Sequence, residues 1–221
     1  MKKKHLALIV ILVILILLYL KKDVVFAPRY LGDLHMHTTC SDGKNSYEAV
    51  VEKAISSRLD FIAITDHTIC PDVIAKCKAE TKLLCIPGQE VTGERLHILA
   101  LNVNKYISPN LPLSKQVAEI HKVGGLAIAA HPNANIFYYS DTELKNSGFD
   151  AQECTGDSKE RRFLPCVYDS DTHNIENLAW QFNSCLGPIK NFEDLKSAIL
   201  NNKCVRTVNL HLLSRDQPLR W

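Results

Sequence analysis

The stretch DLHMHTTCSDG, residues 33–43, places His35 and His37 one residue apart directly after an apolar run. Side chains alternate along an extended strand, so both imidazoles point to the same face. Two imidazoles side by side cost free energy, through positive charge or through desolvation, unless something binds them. A divalent metal ion is the usual binding partner. An exposed polar strand end is the alternative interpretation of this pair taken alone.

Other metal-ligating residue types follow apolar runs farther along the chain. The full candidate set is His35, His37, Asp42, His67, Glu90, His97, His131, Asp171 and His173, six of the nine histidines with three carboxylates. Imidazole with carboxylate favours zinc, manganese or iron over calcium. These ligands exceed what one ion uses, which predicts two to three divalent ions sharing a bridging carboxylate. Such clusters generate hydroxide from water and neutralise a phosphoryl transition state.

Strand and helix patterns alternate along the part of the chain that carries these residues. We predict strands over residues 29–37, 60–67, 83–92, 95–101, 126–132, 149–156 and 164–173, and helices over residues 46–59, 71–80, 114–125 and 191–202. Ser46 is the expected N-cap of the first helix, and Asn191 and Asp194 are placed to cap the last. The alternation indicates parallel βα units, hence an α/β barrel or a doubly wound sheet. In a barrel the C-terminal strand ends meet at one mouth, which would bring the candidate ligands together.

The N-terminal segment predicts a membrane anchor. Residues 6–20, LALIVILVILILLYL, contain no charged residue and are flanked by lysines on both sides. This run is short for a spanning helix, which needs about 20 residues, although flanking lysines can snorkel outward. A cleaved signal peptide is the rival interpretation. We favour an uncleaved anchor over residues 1–22, a linker over residues 23–30 and a catalytic domain over residues 31–221.

Charge argues against a broad nucleic-acid-binding surface. Without the five lysines of residues 1–22, 21 basic and 24 acidic residues remain. A nucleic-acid-binding surface would need clustered positive charge, whereas a small phosphoester substrate held by metal ions would not. Arg161 and Arg162 could clamp a substrate phosphate with their planar guanidinium groups, or form part of a solvated loop.

The eight cysteines form no C-x-x-C pair, which argues against a zinc-finger arrangement. Cys85 and Cys154 lie in apolar runs and are interpreted as small buried hydrophobic residues. Cys40 is interpreted as a passive neighbour of the histidine pair rather than a reactive thiol. If the catalytic domain is exported, some of the eight could pair.

Six short motifs in order, HMHTTCSDG, AITDH, PGQEV, HILAL, AAHP and SDTH, resemble those of the polymerase-and-histidinol-phosphatase (PHP) family over residues 31–202. The resemblance implies a distorted (β/α)7-type barrel, a trinuclear metal centre and phosphoester hydrolysis. It also implies that His35, His37, Glu90 and Asp171 hold one ion. Glu90 would bridge to a second ion held with His97 and His131. Asp42, His67 and His173 would hold the third, and Asp171 or His173 could relay protons.

One segment departs from the family pattern. Between Glu153 and Asp171 the family places a helix and a strand, but here the intervening segment is short and polar. We therefore expect a barrel abbreviated near residues 154–165. The leading function is a membrane-anchored, metal-dependent phosphoesterase for a phosphomonoester or a nucleotide or oligonucleotide end. The alternative is a degenerate module that binds metal or a partner without turnover.

Orientation in the membrane is set only weakly by charge. Lys2, Lys3 and Lys4 precede the apolar run and two lysines follow it. The more basic N-terminal side is expected to stay in the cytoplasm. The catalytic domain would then lie outside the cytoplasm, attached to the cell membrane by a single span.

Overall fold

The computed structural model describes residues 11–13, 28–134 and 139–209. The predicted anchor over residues 1–22 and most of the linker over residues 23–30 lie outside this part of the chain. Among the described residues, no helix has the length and apolar character needed to cross a membrane.

Within the described part of the chain, nine strands form one continuous sheet, and five α-helices accompany them. The strands are β1 Arg29–Asp33, β2 Phe61–Ile64, β3 Leu84–Thr92, β4 His97–Leu101, β5 Leu126–Ala129, β6 Ala151–Glu153, β7 Cys166–Val167, β8 Gln181–Leu186 and β9 Cys204–Val208. The helices are α1 Tyr47–Ser56, α2 Pro71–Ala79, α3 Leu113–Lys122, α4 Asp141–Asn146 and α5 Phe192–Leu200. The sequence patterns located β1 to β7 and four of these helices, but they did not predict α4, β8 or β9.

The sheet curls into a nearly closed barrel. Its strand order is β7-β6-β5-β4-β3-β2-β1-β8-β9, and the two edge strands β7 and β9 lie beside each other. Pairing is parallel in β1–β2, β2–β3, β5–β6 and β6–β7. It is antiparallel in β3–β4, β4–β5, β1–β8 and β8–β9. The expected barrel is therefore present, in a mixed form rather than as purely parallel βα units.

Strand β4 runs antiparallel because only residues 93–96 join it to β3. A parallel neighbour requires a crossover of about a dozen residues or more, whereas a short link gives a hairpin. The reversal places His97, the first residue of β4, opposite Thr92 at the end of β3. An antiparallel strand begins at the edge where its neighbour ends, so His97 still reaches the mouth of the barrel.

Alternation along the strands separates two buried faces. Phe61 and Ala63 of β2 belong to one buried cluster with residues from β3 to β9, and this cluster fills the barrel interior. Ile62 and Ile64 point the other way and pack with α1 and α2. Because both faces are covered, these strands appear in the sequence as continuous apolar runs. Helix α5 contributes Leu195 to the interior cluster.

The helices begin where their capping residues predicted. Ser46 accepts a hydrogen bond from the backbone of Ala49 at the start of α1, and Asn191 accepts one from Asp194 at the start of α5. No helix follows β6: residues 154–165 form a loop, as the short polar segment indicated. The loop is closed at its base by a disulfide between Cys154 and Cys166.

Cysteine pairing corrects the sequence interpretation. All eight cysteines are in disulfides: Cys40–Cys70, Cys77–Cys85, Cys154–Cys166 and Cys185–Cys204. Cys85 and Cys154 are buried as expected, but each is half of a disulfide rather than a free hydrophobic thiol. Residues distant in sequence form these pairs because adjacent strands and loops bring them together, which spacing alone does not reveal.

Candidate metal centre

The nine candidate ligands meet at one end of the barrel and form three overlapping groups. The central group is His35, His37, Glu90 and Asp171; the inner group is Glu90, His97 and His131; the outer group is His37, Asp42, His67 and His173. Within each group the potential ligand atoms lie within 4.8 Å of one another. This grouping matches the one that the family resemblance implied, with His37 additionally reaching the outer group.

Glu90 lies between two groups and faces each with a different oxygen. Its Oε1 is 2.8 Å from Nδ1 of His97 and 3.1 Å from Nε2 of His131. Its Oε2 is 3.2 Å from Nε2 of His35 and 3.3 Å from Nε2 of His37. A carboxylate in this position can serve two ions at once.

Local pairing aligns the first and last motifs of the site. Met36 forms a parallel bridge with Thr172, and the His37 backbone N–H donates to the Thr172 carbonyl at 2.8 Å. Asp171 therefore lies beside the histidine pair, with Oδ1 3.1 Å from Nε2 of His35. Asp171 and His131 adopt positive φ angles of 49° and 30°. Non-glycine residues rarely adopt this conformation, and it is concentrated at functional sites.

The outer group is the most exposed of the three. The Asp42 side chain is 49% exposed, and its Oδ2 is 3.3 Å from Nε2 of His67 and 3.1 Å from Nε2 of His173. His37 directs its Nδ1 toward Oδ1 of Asp42 at 3.4 Å. Asp42, His67 and His173 all lie on loops, whereas Glu90 and His97 lie within strands. The outer group thus forms the solvent-facing side of the centre.

The donor set fits metal ions. Nε2 of His35, both ring nitrogens of His37 and Oδ1 of Asp171 are buried and make no hydrogen bond within the described part of the chain. Buried polar atoms are normally hydrogen-bonded, so donors that converge without hydrogen-bond geometry indicate a bound ligand. Imidazole nitrogens with carboxylate oxygens suit zinc, manganese or iron.

Mutual electrostatics keep the carboxylates of the centre ionised. Burial disfavours the charged form of Glu90, but the surrounding histidines outweigh it and hold its pKa well below the usual value. Burial likewise opposes protonation of His37, yet Asp171 and Glu90 raise the pKa of His37 to about 9. The apo site therefore favours cations, either protons on the histidines or metal ions.

A supporting carboxylate was missed by the sequence assignments. Glu153, the last residue of β6, places Oε1 2.8 Å from Nδ1 of His35 and accepts the His131 backbone N–H with Oε2 at 2.5 Å. Metal-binding histidines commonly donate their second nitrogen to such a carboxylate, which fixes the tautomer and the ring orientation. Its position at a strand end was visible in the sequence, but its role was not.

Two further buried carboxylates lie behind the histidine pair. Asp33 accepts backbone N–H groups from Ser170 and Ala179, and Asp169 accepts the Leu34 N–H and the Asn183 side-chain amide. Burial raises the pKa of Asp33 to about 6 and raises that of Asp169 well above its usual value. These contacts join β1 to the segment after β7. They therefore keep the motif HMHTTCSDG aligned with the motif SDTH.

Arg161 and Arg162, the candidate phosphate-binding residues, make contacts within or beside the loop of residues 154–165. Arg161 donates to the carbonyls of Pro132 and Tyr139 at 2.7 and 2.8 Å, which ties the loop of residues 154–165 to the segment after β5. Arg162 is exposed and contacts Glu160.

Asp66 lies within the motif AITDH, and His121 lies outside the six motifs. The Asp66 carboxylate accepts hydrogen bonds from the backbone N–H and hydroxyl of Thr38 and from the Ser41 hydroxyl. His121 contacts Asp150 at 2.8 Å on the surface.

A barrel of this topology with clustered histidines and carboxylates at one end is typical of metal-dependent hydrolases. Residues 33–146, about half of the chain, match the family model for the PHP domain, and the chain belongs to this family. The resemblance inferred from the six motifs is confirmed.

Curated relatives match over a shorter region. The 5'-3' exoribonuclease Rnm of Escherichia coli is 38% identical over 80 residues, which is 33% of this chain and 27% of the relative. The phosphoribosyl 1,2-cyclic phosphate 1,2-diphosphodiesterase of Eggerthella lenta is 32% identical over 81 residues, 33% of this chain and 31% of the relative. The matched region thus spans about a third or less of each relative. One name specifies an RNA-degrading enzyme and the other a small-molecule phosphodiesterase.

A solved structure shares the fold. A two-domain protein from Bacteroides vulgatus, described as containing a predicted PHP-like metal-dependent phosphoesterase, superposes with a TM-score of 0.66 at 16% identity. The similarity covers 83% of this chain and 66% of that one.

Proposed function

We propose that the chain is a metal-dependent phosphoester hydrolase that holds two to three divalent ions in the central, inner and outer groups. The position of Glu90 is the observation that supports this most directly, because its two oxygens face two separate sets of imidazoles. Zinc, manganese or iron bound there would activate water and neutralise negative charge on a phosphoryl group.

The residues of the chain have distinct proposed roles. His35 and His37 would bind the ion of the central group, and Glu153 fixes the orientation of His35. Asp171 and His173 are the proposed catalytic residues. His173 is partly exposed, so it can reach a substrate. Its Nε2 faces Asp42 within the outer group, which leaves Nδ1, 3.6 Å from Oδ1 of Asp171, as the nitrogen for a proton relay.

The proposed substrate is a phosphomonoester or the end of a nucleotide or oligonucleotide. The outer group opens to solvent and lies on loops, which suits entry of a terminal phosphate. Relatives include both a nuclease and a small-molecule phosphodiesterase, so both classes belong in the test. The slight acidic excess outside residues 1–22 disfavours a broad nucleic-acid-binding surface. Of the two alternatives for Arg161, phosphate binding or a place in the loop, its carbonyl contacts favour a role in holding the loop. Arg162 remains a candidate for phosphate binding.

A panel of phosphomonoesters, cyclic and linear diesters and 5'- and 3'-phosphorylated oligonucleotides tests the proposal. The purified chain should hydrolyse at least one class, lose activity with a chelator and regain it with manganese or zinc. A folded protein that holds metal yet turns over nothing on the panel would support the alternative, a module that binds metal or a partner without catalysis.

Paired variants separate ligands from bystanders. Glu90→Gln should lose metal and activity together, because one carboxylate faces two groups. His121→Asn should change neither, because His121 lies at the surface against Asp150, outside the three groups. Equal behaviour of the two variants would contradict the assignment of the centre.

We also propose that residues 1–22 anchor the chain in the cell membrane with the catalytic domain outside the cytoplasm. Support comes from the uncharged run of residues 6–20 and from four disulfides, which persist mainly in oxidising compartments. A reporter that is active only after export, fused behind Trp221, should be active. A silent reporter on a stably expressed fusion would place the domain inside.

A further inference from the structure

The Cys40–Cys70 disulfide joins the two loops that carry outer-group residues. Cys40 precedes Asp42 by two positions in the loop after β1, and Cys70 follows His67 by three positions in the loop after β2. The other three disulfides join different elements: α2 to β3, β6 to β7, and β8 to β9. The position of Cys40–Cys70 beside both ligand loops sets it apart.

The outer group needs such a constraint more than the other two groups. Its residues Asp42, His67 and His173 are 49%, 29% and 38% exposed at the side chain. The inner group is almost fully buried on or beside strands that fix its geometry. Exposed loop residues lose more conformational freedom when they converge on one ion, so a covalent link that limits this freedom strengthens binding.

Hydrogen bonds already tie the base of the loop after β1 to the loop after β2. Asp66 accepts from the Thr38 backbone and hydroxyl at 2.7 and 2.8 Å and from the Ser41 hydroxyl at 2.8 Å. These bonds attach the loop that carries Asp42 to the residue just before His67. Cys70 adds a second connection three positions beyond His67, so the loop that carries His67 is held to the Asp42 loop on both sides of His67.

We propose that Cys40 and Cys70 are positioning residues for the outer group, and that opening their disulfide selectively weakens metal binding there. The inference rests on the proposed function, since it assumes that these groups hold metal ions. Both cysteines are partly exposed, whereas Cys77 and Cys85 are buried. A dithiol reductant can therefore reach Cys40–Cys70, reduce it to two thiols by thiol–disulfide exchange and itself become the disulfide.

Zinc stoichiometry of the full chain, measured by elemental analysis at buffered free zinc, tests the proposal. Cys40→Ser/Cys70→Ser should bind one equivalent fewer than the wild type, or bind the weakest equivalent at least 10-fold less tightly. Cys77→Ser/Cys85→Ser is the matched control: it also removes one disulfide and should keep the full zinc content. Thermal melts of both variants report the general loss of stability separately.

A double-variant comparison assigns the lost ion. Adding His173→Ala to Cys40→Ser/Cys70→Ser should cause no further loss of zinc, whereas adding His97→Ala should remove another equivalent. Full zinc content in Cys40→Ser/Cys70→Ser, or equal loss in Cys77→Ser/Cys85→Ser, would overturn the inference. So would a wild type whose zinc content His173→Ala leaves unchanged.

The remaining outcomes also decide the question. A wild type that binds fewer than two zinc ions would refute the proposed function and this inference with it. If Cys40→Ser/Cys70→Ser does not fold, stepwise reduction of the wild type with alkylation mapping replaces it. Release of the first zinc ion should then coincide with labelling of Cys40 and Cys70, and release that follows another pair would contradict the inference.

Discussion

Glu153 contacts two histidines of the candidate metal centre but belongs to none of its three groups. Its carboxylate receives the Nδ1 side of His35 and the backbone N–H of His131, so it orients two residues that belong to different groups. His131 is held at a positive φ angle by the same contact. A single buried carboxylate thus sets the positions of one histidine in the central group and one in the inner group.

Replacing Glu153 tests this orienting role. Glu153→Gln should weaken metal binding about 10- to 100-fold, because an amide cannot accept from His35 and from the His131 backbone as two carboxylate oxygens do. Metal affinity measured by competition with a chromophoric chelator reports the change. Glu119→Gln, on the exposed face of α3, is the control and should leave affinity unchanged. Equal affinity in all three proteins would argue against the role.

The ion pair between Glu143 and Arg95 gives a second prediction for single residues. The Arg95 guanidinium lowers the pKa of Glu143 from 4.5 to about 2. A lowered folded-state pKa means that the stabilisation is present above the unfolded value and is lost as the pH falls through the folded value. Glu143 also closes a capping box with Ser140 at the start of α4.

Glu143→Gln keeps a capping side chain but removes the charge. We expect it to lower the free energy of unfolding by about 0.2–1 kcal/mol near neutral pH, the range for an exposed pair. The difference from the wild type should shrink as the pH falls from 4.5 toward about 2. Denaturant unfolding at several pH values measures it, and a difference that does not vary with pH would contradict the pairing.

Among the elements, the turn that carries Asp42 depends on a glycine. A Cβ at Gly43 would lie 2.4 Å from the carbonyl carbon and oxygen of His37, so only glycine lets the turn pack against the strand end. The Gly43 N–H also donates to the Thr38 carbonyl at 3.0 Å, which closes the turn. The Asp-Gly pair in the first motif therefore has a packing reason.

Gly43→Ala should push the turn away from His37 and move Asp42. We expect a loss of about 1–3 kcal/mol of stability from the backbone clash and a weaker outer group. Gly93→Ala is the control, because the added Cβ would meet a single oxygen at 3.1 Å. Metal stoichiometry and thermal melts of the two variants provide the comparison, and similar results for both would contradict the packing argument.

At the scale of the whole molecule, disulfides replace missing secondary structure. The pair β6–β7 has no connecting helix, and Cys154–Cys166 ties its loop instead. Cys185–Cys204 links β8 to β9 at the edge where the barrel nearly closes. Removing a native disulfide typically costs about 2–5 kcal/mol, so the oxidised state carries a large share of the stability.

Reduction of the metal-free protein should therefore lower Tm by about 10 °C or more, since several kcal/mol are lost from a domain of this size. Alkylation of the denatured, unreduced protein should label none of the eight cysteines. Calorimetry with and without reductant provides the measurement. An unchanged Tm, or free thiols in protein made in an oxidising compartment, would contradict the pairing.

The sequence by itself determined the chemistry-bearing residues and most of the elements. Strand ends bearing His35, His67 or Asp171 could be recognised because buried strands produce apolar runs that stop where polar ligands begin. Capping residues such as Ser46 and Asn191 located helix starts because their side chains satisfy local backbone N–H groups. These features depend on neighbours within a few positions, so a single sequence reveals them.

Only the tertiary structure decided what depends on distant partners. The pairing of β8 with β1, the Cys40–Cys70 disulfide and the contact of Glu153 with His35 all join residues that lie 30 or more positions apart. The left-handed conformations of His131 and Asp171 likewise persist because surrounding contacts outweigh their local cost. Local sequence patterns identify the candidate ligands, but the curvature of the sheet determines which of them lie close together.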